Sequence, residues 1–512
     1  MAARGATFFE RREGAARAPL ASGYLPRRPE KTVLHQVVCE HLATLLSESR
    51  QEDGGGLPGF VEREFRRYLT CGSLAQGFVR VRCGRCGEET LVGLSCKRRG
   101  FCPSCIGRKM ADTAAHLVDR VLPWAPYRQW VVSLPFRLRL RLARSEEFLG
   151  AVRRLFMAAV KAWQRRQARA LGFKEARTGA VCFTQRFDSL LRTNPHFHAM
   201  VPDAVFVEEG EGRVGLVVLP KPRQEDVEWV AARLVRSAQP LLAKLEPEDG
   251  PPDALDRLRL AQLDLLPPSP VQEAPPGRLT VRLAGFSLQA ATHLHGNDRA
   301  GLEALCRYAL RPPVPLSRLS QRPDGKLELR LKRPLPGGKT RLTLEPMTLM
   351  RRLAGLVPRP RVHQLHYFGV LASHAGLRPS VTPHSSRKAS GVCRREPLAQ
   401  RKLPLVQRPA WSEPRVGELE PLLKAPSPRA RTLDWRTLLA RTFGDQIHTC
   451  RKCGGPLEVV AYVTEPEKAV QLLEELGITP YQPRLARARA PPQQQLFEPS
   501  PGFAADPLYP DD

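Results

Sequence analysis

The sequence has no apolar run approaching the roughly 18 residues that a membrane-spanning helix needs, so a spanning segment is excluded. Residues 1–19 mix Arg and Glu with two Phe and have no apolar stretch of signal-peptide type, so a cytoplasmic location is expected. No internal repeat is present. Acidic residues are in short supply, at 51 Asp and Glu against 80 Lys and Arg, which leaves a formal charge of +29. So large an excess calls for a polyanionic partner, most simply nucleic acid; an Arg-rich codon usage is the bland alternative. Apolar residues at 42% and charged ones at 26% rule out wholesale disorder, a collagen-like chain and a small disulfide scaffold. In a reducing compartment the twelve cysteines are expected as thiols or metal ligands.

At 512 residues the chain has room for several domains with cores of their own. Helical spacing of Val33, Leu34, Val37, Val38, Leu42 and Leu45 predicts a helix over 31–50, with a second over 60–69. Strands are expected at 128–136, 179–187, 196–207 and 278–292, and a hairpin across 324–345 around Gly337 and Gly338. Long amphipathic patterns predict helices over 146–171 and 298–311. Pro-rich residues 240–277 read as an inserted excursion and 379–430 as a basic linker. The resulting organisation is a zinc-binding domain over 28–122, a catalytic domain over 123–378, a small module over 431–482 and a disordered tail from 483.

Six cysteines fall between 71 and 105. Cys83 with Cys86, and Cys102 with Cys105, have the two-residue spacing that aims a pair of thiolates at one ion, and fifteen residues separate the pairs. One zinc on these four is the expected arrangement, with Cys71 and Cys96 as buried thiols or further ligands. Lys97, Arg98, Arg99, Arg108 and Lys109 give this module a basic, DNA-contacting character. Cys450 and Cys453 form a similar turn, but as a half-site with no second pair nearby in sequence.

Alternation along a strand puts His196 and His198 on one face, with Phe197, Ala199 and Val201 on the other, and paired imidazoles make a divalent-metal site. His293 and His295 form a rival pair just before a helix cap. On the helix that follows, Tyr308 lies off the apolar stripe of Leu302, Leu305, Cys306 and Ala309, with Arg307 and Arg311 close in sequence. A phenol beside guanidinium groups suits attack on a phosphodiester, and the alternative is an amphipathic Tyr at a core edge.

The ordered set of motifs resembles the rolling-circle transposases of the IS91 type, a branch of the HUH nucleases. The set is the Cys-rich module, Arg128 to Pro135, Gln185 to Phe187, His196 to Asp203, Cys306 to Pro313, His366 to Ala372, and Cys450 to Gly455. The resemblance spans about residues 30–480 and implies an α+β fold: an antiparallel sheet flanked by helices, behind a zinc-ribbon-like module. It implies that His196 and His198 hold Mg²⁺ or Mn²⁺, with Gln185 as third ligand, and that Tyr308 attacks single-stranded DNA at element ends to form a 5′-phosphotyrosine. Some relatives carry a second tyrosine four residues on; Pro312 stands there, so a single-tyrosine form is implied, with Tyr367 as a conceivable second nucleophile. Ala204, where many relatives have Gly, is a mild departure. A non-catalytic zinc-dependent DNA-binding regulator and an HUH replication initiator are the competing readings.

Overall fold

The computed structural model describes residues 27–53, 55–210, 213–244, 253–264, 278–332, 334, 338–383, 415–422 and 449–489. Helices α1 (Val33–Asp53) and α2 (Gly59–Leu69) come first, followed by the hairpin of β1 (Phe78–Cys83) and β2 (Glu89–Gly93). Then come α3 (Pro103–Arg120), β3 (Tyr127–Ser133), α4 (Arg139–Arg144), α5 (Glu146–Ala170), β4 (Gly179–Phe187), β5 (Thr193–Pro202), β6 (Ala204–Gly210) and β7 (Arg213–Val218). After α6 (Gln224–Ala243) and α7 (Ala254–Asp264) follow β8 (Thr280–Leu283), β9 (Phe286–Leu294) and α8 (Arg299–Ala309). A small sheet of β10 (Leu319–Gln321), β11 (Leu327–Arg330) and β12 (Arg341–Leu344) precedes α9 (Pro346–Leu356), β13 (Leu365–Gly369) and α10 (Arg378–Val381). The described chain closes with β14 (Leu419–Pro421), β15 (Leu457–Val463) and α11 (Pro466–Glu475).

The central element is a six-stranded sheet in the order β13-β4-β5-β3-β9-β8, antiparallel at every pairing. Helices cover both faces, as expected of a mixed α/β chain with an antiparallel sheet. On one face Trp130, Val132, Phe197, Ala199 and Val201 pack against Phe156, Val160 and Trp163 of α5 and Val227, Val230 and Leu234 of α6. On the other, Tyr127, Val181, Phe183 and Met200 pack against α3 and α8. Burying each of these large side chains contributes about 1.5–3 kcal/mol. The apolar stripe of α5 explains its position, and Ser145 caps its N-terminus by accepting from the Phe148 amide at 3.3 Å.

A buried ion pair locks the centre. Arg128 on β3 donates two hydrogen bonds to Asp203, at 3.1 and 2.8 Å, and a third to the Ala290 carbonyl on β9 at 2.8 Å. Asp203 also interrupts the strand expected over 196–207, which becomes β5 and β6.

The expected excursion over 240–277 contains α7, whose Ala254, Leu255 and Leu258 belong to the core formed with α1, α2 and α9. The Pro-rich residues on either side of that helix, 245–252 and 265–277, lie outside the described residues. Most of the linker expected over 379–430 also lies outside them, at 384–414 and 423–430, although β14 within it pairs with β7; the first part of the expected 431–482 module, 431–448, lies outside them as well. Residues 457–489 do not form a separate module and tail. β15 adds to the edge of β1, α11 packs Ala469 and Leu473 on Phe78, and residues 481–489 run along α1. There the Ala486 amide donates to the Cys39 carbonyl at 3.0 Å and the Arg489 amide to Thr44 at 3.1 Å. The disorder expected from 483 therefore does not hold for 483–489, because the segment is hydrogen-bonded to α1 at both Cys39 and Thr44. Residues 490–512 lie outside the described residues.

Replacing Arg128 by Ala is expected to cost about 3–5 kcal/mol in urea unfolding, because it strands the buried Asp203 carboxylate. A loss below about 1 kcal/mol would show that water already solvates Asp203.

Candidate active site and metal centres

On the α3–α8 face of the sheet one polar stripe interrupts the apolar packing. His196 and His198 project from β5; Gln185 lies directly opposite His196 on β4, and Gln129 comes from β3. All four are buried. The two imidazoles have ring centroids 4.9 Å apart. His196 Nδ1 lies 2.8 Å from the Asn194 carbonyl, to which it donates as Nδ1–H, leaving Nε2 with its lone pair. His198 Nδ1 lies 3.3 Å from the Gln129 amide. The nearer amide atom is the nitrogen; with the amide turned over, its oxygen would accept from Nδ1–H and leave the lone pair of His198 Nε2 free for a metal. That Nε2 is buried and has no hydrogen-bond partner among the described residues. Burial pushes the His196 pKa down to about 4 and that of His198 well below the ordinary histidine value, so both rings are neutral at pH 7, as metal ligands must be.

Among the described residues no third His, Cys, Asp or Glu joins this pair as a metal-ligand group. The Gln185 amide nitrogen reaches the Ala309 carbonyl at 3.3 Å, which ties the end of α8 to the sheet and leaves its oxygen available.

Helix α8 supplies the tyrosine. Asp298 caps it by accepting from the Gly301 amide at 2.7 Å, and Pro312 and Pro313 prevent its continuation. Leu302, Leu305, Cys306 and Ala309 are buried, while Tyr308 keeps 40% of its surface exposed. Its ring meets His198 edge-on, centroids 6.0 Å apart. The Arg311 guanidinium stacks over the phenol at 4.1 Å and the Lys332 ammonium at 4.5 Å. Loss of solvent, together with the charges of Arg311 and Arg318, pushes the Lys332 pKa down to about 8. Arg307 plays no such part, because it is held by Glu303 at 2.6 Å. Sequence reasoning missed Lys332 and Arg318, which follow α8 in a region with no motif to flag them.

The rival histidines do not join the site. His293 pairs in register with Arg128 on the opposite face of the sheet and lies 3.6 Å from Asp203, and the ring of His295 accepts from the Asn297 amide at 3.3 Å. Tyr367 packs half-buried in the α3–α8 core with Arg378 over its ring at 5.1 Å.

The cysteines group differently from the single zinc expected on Cys83, Cys86, Cys102 and Cys105. Cys102 and Cys105, at the start of α3, converge instead with Cys71 and Cys96. Their sulfurs are 3.3–3.6 Å apart for the pairs Cys96–Cys105, Cys71–Cys102 and Cys71–Cys105. Hydrogen bonding from Cys102, Cys105 and Cys96 holds the Cys71 thiol well below its ordinary range, and the N-terminus of α3 favours thiolate charge. Cys83 and Cys86 form a second group with Cys450 and Cys453. The CxxC pairs looked like partners because they are neighbours in sequence, but β1 and β2 carry one pair away from the other. Four thiolates in a tetrahedron are the donor set of structural zinc, and the residues fit it.

Residues 41–134 match a family model described as "Transposase zinc-binding domain". Residues 179–378, which contain His196, His198 and Tyr308, match one described as "Putative transposase". The protein is thus a transposase with a zinc-binding domain, a class that acts on DNA. More particularly, the chain belongs to the IS91 family. Searches of curated proteins and of solved structures found no match. Among the described residues no helix is long and apolar enough to cross a membrane.

Cys102→Ser is expected to release zinc and to lower the thermal midpoint, because Cys102 lies in the core formed by α1 and α2. Zinc release to a chromogenic chelator and a circular-dichroism melt measure both, and unchanged metal content would remove Cys102 from the ligand set.

Proposed function

We propose that this transposase nicks and rejoins single-stranded DNA at element ends, with Tyr308 as the nucleophile, in a rolling-circle mode of transposition. The observation that carries the reading is the meeting of Tyr308 with the His196–His198 pair, since the tyrosine and the pair come from separate parts of the chain. A regulator that only binds DNA has no need for a buried unpartnered imidazole nitrogen facing an exposed, cation-flanked phenol.

A Mg²⁺ or Mn²⁺ ion held by His196 and His198, with the Gln185 oxygen as third donor, would draw charge from the scissile phosphate. The chain's own groups do the rest. Arg311 and Lys332 receive the phosphate oxygens. Tyr308 Oη attacks phosphorus, forming the Tyr–O–P bond while the P–O3′ bond breaks. The phenol proton goes to solvent and the departing 3′-oxygen takes one up, leaving a free 3′-hydroxyl and a 5′-phosphotyrosine. The ester conserves the energy of the original bond, so the reverse attack by a 3′-hydroxyl joins DNA without ATP. Gln129 orients His198, and Gln185 holds the end of α8, and so Tyr308, against the sheet.

Incubating the full chain with labelled single-stranded element ends and Mn²⁺ should give a protein–DNA band that survives denaturation. The band should vanish with chelator and in Tyr308→Phe, while Tyr308→Phe retains DNA binding. A persistent adduct in that variant would rule Tyr308 out. Gln129→Ala is expected to weaken Mn²⁺ binding by about 10- to 100-fold in calorimetry.

The depressed Lys332 pKa gives the interface a pH dependence. Deprotonation removes a phosphate-facing charge, so affinity for single-stranded DNA should fall as pH rises through about 8 or, with bound phosphate stabilising the cation, somewhat above it. Lys332→Arg should abolish the fall, and an identical pH profile for the two proteins would dissociate Lys332 from the DNA contact.

A further inference from the structure

Cys450 and Cys453 lie outside both segments that match the transposase models, yet their sulfurs meet those of Cys83 and Cys86. Cys83 Sγ is 3.5 Å from Cys453 Sγ, and Cys86 Sγ is 3.7 Å from Cys450 Sγ, across 364 residues of chain in the second case. All four sulfurs lie within 4.8 Å of one another.

The two turns are built alike. In the first, the Gly87 amide donates to the Cys83 carbonyl at 3.0 Å; in the second, the Gly454 amide donates to the Cys450 carbonyl at 2.9 Å. Gly87 and Gly454 both adopt positive φ, +73° and +69°, a conformation that glycine takes without strain. Each turn aims a backbone amide at a sulfur, Arg85 N–H at Cys83 and Gly455 N–H at Cys453, both at 3.4 Å. Such amides stabilise thiolate charge. Gly455 lies against both halves: a Cβ there would come within 3.1 Å of Cys83 Sγ, 3.2 Å of Cys453 Sγ and 2.7 Å of the Arg85 side chain. The backbone continues the junction, with the Gly84 amide donating to the Pro456 carbonyl at 3.1 Å and β15 paired along β1 from Cys83–Leu457 to Phe78–Val463.

We propose that Cys83, Cys86, Cys450 and Cys453 bind a second structural zinc ion, so that the two ends of the chain complete one split zinc ribbon. Each end supplies one two-cysteine turn, and the three-stranded sheet β15-β1-β2 is the ribbon. The ion holds β15, α11 and the strap over 481–489 on the zinc-binding domain and closes the chain around the catalytic sheet.

The test is the zinc content of the purified full chain, measured by inductively coupled plasma mass spectrometry, with limited proteolysis as a second readout. The wild type should hold two zinc ions per chain. Cys450→Ser/Cys453→Ser should hold one, and Cys83→Ser/Cys86→Ser should lose that same one. Both variants should be cut within 457–489 at least several-fold faster than the wild type. The zinc retained at Cys71, Cys96, Cys102 and Cys105 shows that the variants remain folded. For a variant that loses both ions, Gly455→Ala keeps every ligand and should lower the affinity of one zinc alone. Two zinc ions in Cys450→Ser/Cys453→Ser, one in the wild type, or a Cys83–Cys453 disulfide found on alkylation without reductant would each overturn the proposal.

Discussion

The register of β5 between β3 and β4 is the constraint on which the site depends. Side chains alternate along a strand, so a slip of one residue would turn His196 and His198 into the α5–α6 core and bring Phe197 to the polar stripe. The Arg128–Asp203 pair opposes that slip, because the Asp203 carboxylate has its buried cationic partner only in this register. Gln129 and Gln185, in line with the histidines on the flanking strands, depend on the same alignment. The polar stripe is expensive to bury, and the same alignment brings together the groups on which the proposed ion site rests.

Charge around Tyr308 follows a different logic from charge elsewhere. Elsewhere among the described residues arginines pair with acids, as Arg307 does with Glu303 and Arg341 with Glu328. Arg311, Arg318 and Lys332 have no acidic partner among the described residues; burial lowers the pKa of each, and the charge of Arg311 lowers those of Arg318 and Lys332 further. Like charges converge at a cost unless a polyanion relieves it, and the cluster therefore supports the proposed contact with DNA phosphate beside the exposed phenol.

Local patterns carried much of the architecture. The amphipathic periods of α5 and α8 and the alternation of β5 are legible because each element buries its own apolar face. The motif Arg128 to Pro135 and the motif ending at Asp203 were visible as separate runs, but their ion pair was not, since 75 residues separate the partners. Helix α7 was hidden in a Pro-rich stretch because three core contacts, Ala254, Leu255 and Leu258, are too brief a signal beside the prolines around them. Lys332 was unreadable for a related reason: nothing about a lysine next to a small hairpin says that the chain folds it over a ring on α8.

By itself the sequence determined that two histidines share a strand face, that a tyrosine stands off an apolar helix stripe, and that cysteine pairs form metal-binding turns. Each is a property of a few consecutive residues, set by backbone period and turn geometry. The resemblance already favoured His196 and His198 over His293 and His295; the tertiary structure added that the first pair is the one facing α8. The tertiary structure alone decided which cysteines meet. Coordination depends on distance in space, and the pairing of β15 with β1 brings Cys450 and Cys453 nearer to Cys83 than its sequence neighbour Cys102 comes.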